Sequence, residues 1–210
     1  MNIAVIGSGN MGSGLGKIWA KKGHKVIFSF SRNMEKLKEL AASVPNAKAA
    51  TPKEAVEQSD VVLLSVRWPN VEEAITACGP LSGKTIIDCT NPLKHDLTGL
   101  EIGHTTSAAE EIAKLAKGAN VVKAFNTIFA EVYQTNSRLF GTRTTTMFYC
   151  GDDKEAKSKA EQLIRNIGFE AIDAGPLTVA RCLEPLAMLM IQLRYNMRMG
   201  TNISMSLIRR

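Results

Sequence analysis

Short apolar runs alternate with longer segments of helical period along almost the whole chain. The runs NIAVIG (2–7), HKVIFSFS (24–31), DVVLLSV (60–66), KTIIDCT (84–90), NVVKAF (120–125), TTMFYCG (145–151) and FEAIDAG (169–175) are rich in β-branched or aromatic residues, the composition of strands. Several are apolar throughout, as strands covered on both faces require. Between them, 11–22, 33–43, 52–58, 69–77, 107–117, 153–167 and 178–198 carry helical patterns. Such alternation predicts an α/β fold with a doubly wound, mostly parallel sheet. We expect residues 1–175 to form that domain and 176–210 a C-terminal helical segment, a lid or dimer interface within the same compact unit. Local signals mark some boundaries. Thr51-Pro52 with Glu54 suits a capped helix start, Asp152 or Asp153 can cap the helix that follows, and Pro185 should kink or delimit the last helix near its beginning.

Charge changes this picture in one place. Of the net charge of +6, residues 1–34 supply +5 through Lys17, Lys21, Lys22, Lys25 and Arg32, with no Asp or Glu. A local positive field suits a small anionic ligand better than a long polyanion, so no nucleic-acid partner is expected. The apolar runs 2–6 and 186–193 are too short for a signal peptide or a membrane span, which points to a cytoplasmic chain without a membrane partner. Cys78, Cys89, Cys150 and Cys182 stand apart from one another and from histidines. That spacing suits reduced, mostly buried thiols, with neither a disulfide framework nor a metal site.

The first run leads directly into Gly7, Gly9 and Gly12, a G-x-G-x-x-G at a strand-to-helix turn. In a Rossmann-type fold Gly7 permits the tight turn, Gly9 lets the backbone approach a pyrophosphate, and Gly12 lets helix and strand pack closely, with Ser8, Asn10 and Met11 completing the loop. NAD-binding members of that fold place an acid at the end of the second strand to hold the ribose 2′-hydroxyl. This chain has Ser29, Phe30, Ser31 and Arg32 there, and its first carboxylate is Glu35. Ser31 and Arg32, with Lys36 one turn beyond, would bind a 2′-phosphate, so the expected cofactor is NADP(H).

The nicotinamide end should lie where later strands finish. The loops there are SVRWPN (65–70), CTNPLK (89–94) and AFNTIFAEVY (124–133). Asn91 and Asn126 can hydrogen-bond a carboxamide or ribose, while Trp68, Pro92 and Ile128 offer flat apolar walls. Tyr133, Lys94, Lys123 and His95 are the proton carriers within reach, and none sits in a recognisable acid–base constellation. Hydride transfer to a flavin-like ring makes the smaller demand on the protein, because the acceptor's conjugated system takes the electrons. Five of the nine methionines, Met188, Met190, Met197, Met199 and Met205, crowd the last 23 residues. They suit core, a dimer interface or contact with a flat ring, and Met197 is the one expected at the substrate.

The segments VIGSGNMGSGLGKIWAKKGHKVIFSFSR, NVVKAFNTIFAEVY, CGDDKEAKSKAEQLI and DAGPLTVARCLEPLAMLMIQLRYNMRMG together resemble the NADP oxidoreductases that use the deazaflavin coenzyme F-420, relatives of the NADPH-binding domain of six-transmembrane metalloreductases. The resemblance runs nearly end to end, and DAGPL is its more specific sign. It implies that Ser31, Arg32 and Lys36 contact the 2′-phosphate and that Ser8, Asn10 and Met11 belong to the phosphate loop. It also puts Val66, Trp68 and Ala130 beside the nicotinamide. Deazaflavin-using members look to carry proline where this chain has Arg67, and histidine where it has Asn126. Arg67 offers recognition of a different anionic substrate. The expected activity is hydride transfer between NADP(H) and a flat redox partner, a deazaflavin or flavin, by a homodimer. The competing readings are reduction of a small carbonyl or imine, and an NADPH-sensing module without catalysis.

Overall fold

The apolar runs fold as strands and the amphipathic segments as helices across their two faces. The computed structural model describes residues 1–135 and 139–210. Strands β1 (Asn2–Ile6), β2 (Lys25–Ser29), β3 (Ala47–Ala49), β4 (Val61–Leu64), β5 (Thr85–Asp88) and β6 (Asn120–Lys123) pair in parallel. A small hairpin of β7 (Leu139–Phe140) and β8 (Arg143–Thr144) stands apart from them. β9 (Thr146–Gly151) then joins β6 antiparallel, and β10 (Glu170–Asp173) pairs in parallel with β9. The sheet order is β10-β9-β6-β5-β4-β1-β2-β3. Strand order reverses between β1 and β4, the switch point at which such sheets open a crevice.

Alternate residues of each strand feed two cores. Ile3 and Val5 of β1 face one core, where α1 (Asn10–Lys21), α2 (Met34–Ala42) and α6 (Lys154–Asn166) deposit Leu15, Trp19, Leu37 and Leu163. Ala4 and Ile6 face the other, filled from α3 (Pro52–Glu57), α4 (Val71–Cys78), α5 (Ala108–Leu115) and α7 (Ala180–Tyr195) by Val56, Ile75, Ile112 and Leu183. Burial on both faces is why these strands read as continuous apolar runs. Trp19 is fully buried, donates its indole N–H to the Leu163 carbonyl at 3.1 Å and meets the edge of Phe125 at 5.7 Å. It thereby ties α1 to α6 across the sheet end, a contact whose truncation to alanine costs about 3–5 kcal/mol.

Several boundary signals act as the residues suggest. Thr51 and Glu54 form a reciprocal capping box at α3, and Asp153 caps α6 through the Ala156 N–H, while Asp152 accepts from the Leu177 N–H. Two expectations need correction. The run of seven strands is short by three, because β3 and the β7–β8 hairpin are two or three residues long and carry no sustained alternation. Pro185 does not delimit the last helix, which runs through it from 180 to 195. Beyond α7 the chain turns back along β9, with the Thr146 N–H bonding the Met205 carbonyl and the Leu207 N–H bonding Thr146 Oγ1.

Candidate functional site

At the switch point the chain leaves β1 through a turn that only glycine can make. Gly7 has φ +104°, and a Cβ there would lie 2.8 Å from the Ser65 backbone. At Gly12 a Cβ would fall 2.0 Å from the Gly7 carbonyl oxygen, so helix α1 and the turn are in direct backbone contact. Ser65, just past β4, donates its hydroxyl to the Gly7 carbonyl at 2.7 Å and locks the two loops together. Gly9 is different: a Cβ there would meet no protein atom within 4 Å. Protein packing therefore does not require glycine at that position. Gly9 caps α1 without a side-chain hydrogen bond, and the first turn holds no acid, so the helix start carries no carboxylate of its own to answer its N–H groups.

Around this turn lies an open pocket of about 710 Å³, lined among others by Gly7, Ser8, Gly9, Ser31, Arg32, Val66 and Arg67. Just past β2 comes Phe30, held at φ +57° against the ordinary preference of a bulky residue. That bend leads into Ser31, which spans Asn33 by accepting its N–H at 3.1 Å and donating to its carbonyl at 3.0 Å. Asn33 in turn caps α2 by accepting from the Lys36 N–H. Arg32 is exposed at the pocket wall, while Lys36 is exposed on α2 and does not line the pocket. Sequence reasoning missed Phe30, Thr51, Pro52, Asn70 and Glu73 on the same walls. Glu73 supplies a carboxylate from the first turn of α4. Their common signal is position just past, or one turn beyond, a strand end.

The remaining expected residues do not line this pocket. Met11 and Gly12 belong to the first turn of α1, Gly12 being buried and Met11 packed on the core. Asn10 faces a second concavity of about 810 Å³ with Lys17 and Lys21. Trp68 packs on the core beside α4, and Ile128 is buried in the opposite core. Ala130 opens a short turn, Ala130–Gln134, fastened to α7 by the ion pair of Glu131 with Arg194 at 2.8 Å. Met197 lies beyond α7 and is 64% exposed.

Past β5 and β6 the structure is closed. Pro92 is buried, and Asn91 and Asn126 clasp each other: Asn91 Nδ2 donates to the Asn126 carbonyl and Asn126 Nδ2 to Asn91 Oδ1, both at 3.0 Å. Beneath them Lys123 is fully buried between Asp88 and Glu184, at 2.8 Å from each, and also donates to the Thr90 carbonyl at 2.6 Å. Burial pushes the Lys123 ammonium toward neutrality, but the two carboxylates outweigh it and its pKa moves up. Glu184 further accepts from the N–H groups of Ala108 and Ala109, so one carboxylate joins α7, β6 and the start of α5. Lys123 is thus a fully engaged structural cation and not a proton carrier at an open site. Tyr133 is buried, and Lys94 and His95 are exposed in the loop after β5. Cys78, Cys89 and Cys150 are buried, with burial raising the Cys150 thiol to about 12, while Cys182 is exposed.

Comparison with known proteins identifies relatives of the chain as a whole. The family model described as NADP oxidoreductase, coenzyme F420-dependent, matches residues 2–92. An F420-dependent NADP reductase of Methanothermobacter marburgensis is 32% identical over 221 residues, covering 94% of each chain. The metalloreductase STEAP3 of Rattus norvegicus is 30% identical over 184 residues, which span 88% of this chain and 36% of that protein. Among solved structures, that of an F420-dependent NADP-reductase candidate from Arthrobacter sp. FB24 covers all of both chains with a TM-score of 0.88 at 27% identity. A reductive aminase of Aspergillus terreus, solved with NADPH4, shares the fold at a TM-score of 0.69 and 19% identity over 95% of this chain and 62% of that one. Among the described residues no helix is long and apolar enough to cross a membrane.

Proposed function

This chain belongs to the family of coenzyme F420-dependent NADP oxidoreductases, and from that premise we propose that it binds NADP(H) in the switch-point pocket and transfers hydride between nicotinamide and a flat redox partner, a deazaflavin or flavin. The observation that carries the reading is the pocket itself: a glycine turn faces Ser31 and Arg32, and β2 ends without a carboxylate. An acid there would repel a 2′-phosphate; a guanidinium attracts one. The residues fit the cofactor on a further count, since Gly9 leaves space that no protein atom occupies.

When bound, the cofactor supplies a hydride at its nicotinamide ring. The protein's part is to bind and to orient. The backbone N–H groups at the start of α1, those of Asn10 and Met11 included, with Ser8, would hold the pyrophosphate; Ser31 and Arg32 would hold the 2′-phosphate, with Lys36 adding positive charge from outside the pocket. Val66, Arg67 and Trp68 after β4, Asn91 and Pro92 after β5, and Ala130 would border the nicotinamide half. Asn126 would bound the partner ring, whereas Ile128 lies in the opposite core and Met197 is exposed beyond α7. Arg67, exposed at the pocket mouth, would attract an anionic group on that partner. Self-association is part of the proposal. Leu189, Tyr195, Met197, Met199, Leu207 and Ile208 are all exposed on or after α7, an apolar surface that a second copy would cover.

Matched titrations of NADPH and NADH into the purified protein test the cofactor reading, followed by NADPH oxidation with deazaflavin, FMN and ferric acceptors. We expect NADPH to bind at least about tenfold more tightly, the effect of one useful charged contact, and a deazaflavin or flavin to be reduced. Tight NADPH binding with no acceptor reduced would instead favour a sensing module. Equal or absent binding of both nucleotides would overturn the reading.

A further inference from the structure

We propose that Thr90 and Asn126 form a covered recognition site for a planar amide edge, and that Asn91 and Leu183 serve to aim it. The inference rests on the NADP(H) reading above and assigns the ring end of that site. Its basis is a pair of buried polar atoms that lack partners among the described residues, beside Asp88, Asn91 and Lys123, whose side chains are engaged. Thr90 Oγ1 and Asn126 Oδ1 have no hydrogen-bond partner among the described residues, although the two residues are only 3% and 6% exposed. Buried polar groups are overwhelmingly paired, so a free hydroxyl and a free carbonyl oxygen on adjoining strand ends offer hydrogen-bonding capacity to a ligand.

The orientation of Asn126 is determined by its neighbours. Nδ2 donates to Asn91 Oδ1 at 3.0 Å and to the Leu183 carbonyl at 2.9 Å, and turning the amide over would set oxygen against two acceptors. Oδ1 is therefore fixed as an acceptor. Thr90 is fixed just as firmly: its N–H is held by Asp88 at 2.8 Å and its carbonyl by Lys123 at 2.6 Å, so only the hydroxyl is uncommitted. The Asn91–Asn126 clasp places the two residues on adjoining strand ends, since Asn91 directly follows Thr90 and bonds to Asn126 through both main-chain and side-chain atoms. One hydroxyl able to donate and one carbonyl able only to accept complement an edge that carries C=O beside N–H. Carboxylates and phosphates, which have no N–H, do not satisfy Asn126 Oδ1.

Two ligand groups share that chemistry: the carboxamide of a nicotinamide and the ring amide of a deazaflavin or flavin. The site also lies where an extended dinucleotide anchored at β1 and β4 would next arrive, at the ends of β5 and β6. Both atoms are covered in this conformation, so the ring reaches them only with a shift of the residues around them.

Thr90→Val is the decisive variant. It keeps shape and removes a hydroxyl that has no protein partner, so thermal stability should hold or rise. Binding is read by titration with 2′-phospho-ADP-ribose, NADPH, the 3-acetylpyridine analogue of NADPH, a deazaflavin, and the same ring methylated at its amide nitrogen. If the nicotinamide carboxamide fills the site, Thr90→Val weakens NADPH about tenfold, and the acetylpyridine analogue, which lacks the N–H, binds the wild type correspondingly weakly. If the partner ring fills it, the loss falls on the deazaflavin and N-methylation reproduces it. In either case 2′-phospho-ADP-ribose binds both proteins alike. Unchanged binding of every ligand by Thr90→Val overturns the inference while leaving the cofactor reading intact; failure of the wild type to bind 2′-phospho-ADP-ribose removes that reading and the inference with it.

Discussion

The two halves of the carboxyl edge are built on opposite principles. Beyond β1, β2 and β4 the loops leave an open pocket whose charged walls, Arg32 and Arg67, are exposed to solvent. Beyond β5 and β6 the corner is filled, and its charges, Lys123, Asp88 and Glu184, are buried and spent on one another. The open half holds its charges in reserve for a ligand, and the closed half uses them to fix β5, β6, α5 and α7 in one arrangement. Changes in the first should alter binding with little effect on folding, and changes in the second should do the reverse.

Lys123→Met is the severest test of that contrast. It strands two buried carboxylates and should cost about 3–5 kcal/mol of stability in urea unfolding; a loss below 1 kcal/mol would show that the closed half is not held by its charges. Gly9→Ala probes the opposite side. No protein atom lies within 4 Å of the added methyl, so the melting temperature should be unchanged while NADPH affinity falls by an order of magnitude or more, roughly 1.4 kcal/mol or above. Lost stability in that variant would dissolve the distinction. Arg32→Ala should be milder, removing about tenfold of the preference for NADPH over NADH without affecting unfolding. The smallest effect concerns α7. Arg181, by hydrogen bonding and charge, holds the Glu110 carboxyl below the usual carboxylate range. A depressed folded pKa stabilises the protein above the unfolded value, and that contribution is lost as pH falls through the folded one. Glu110→Gln should lower stability modestly at neutral pH, where that contribution is present, and match the wild type once the pH has fallen below the folded pKa, so that the acid limb of the stability profile flattens.

The open half was largely legible in the sequence because its chemistry is local. Gly7 to Gly12 form one turn, and Ser31 and Arg32 follow directly on the strand that presents them. The closed half was not, because its members are distant in the chain: Asp88, Lys123 and Glu184 meet only once β5, β6 and α7 have assembled. A signal did exist, in the form of a lysine and an aspartate inside otherwise apolar runs, NVVKAF and TIID. Charges so placed must find each other. Asn91 and Asn126 were recognised as polar groups after strands, yet their engagement with one another cannot be read from spacing. α7 passes through Pro185 because tertiary contacts at Arg181, Leu183 and Glu184 hold the turn that leads up to the missing N–H.

The Ser65 latch on the Gly7 carbonyl has a consequence in time. Because that hydroxyl already joins the loops after β1 and β4, the phosphate end of a dinucleotide meets a surface that needs no ordering, and its association should proceed at the ordinary rate for a preformed site. On the proposal made for Thr90 and Asn126, the ring end waits for the closed corner to yield. Rapid mixing with NADPH should therefore show two phases, the first proportional to ligand concentration and the second independent of it, whereas a ligand that ends at the pyrophosphate should show only the first.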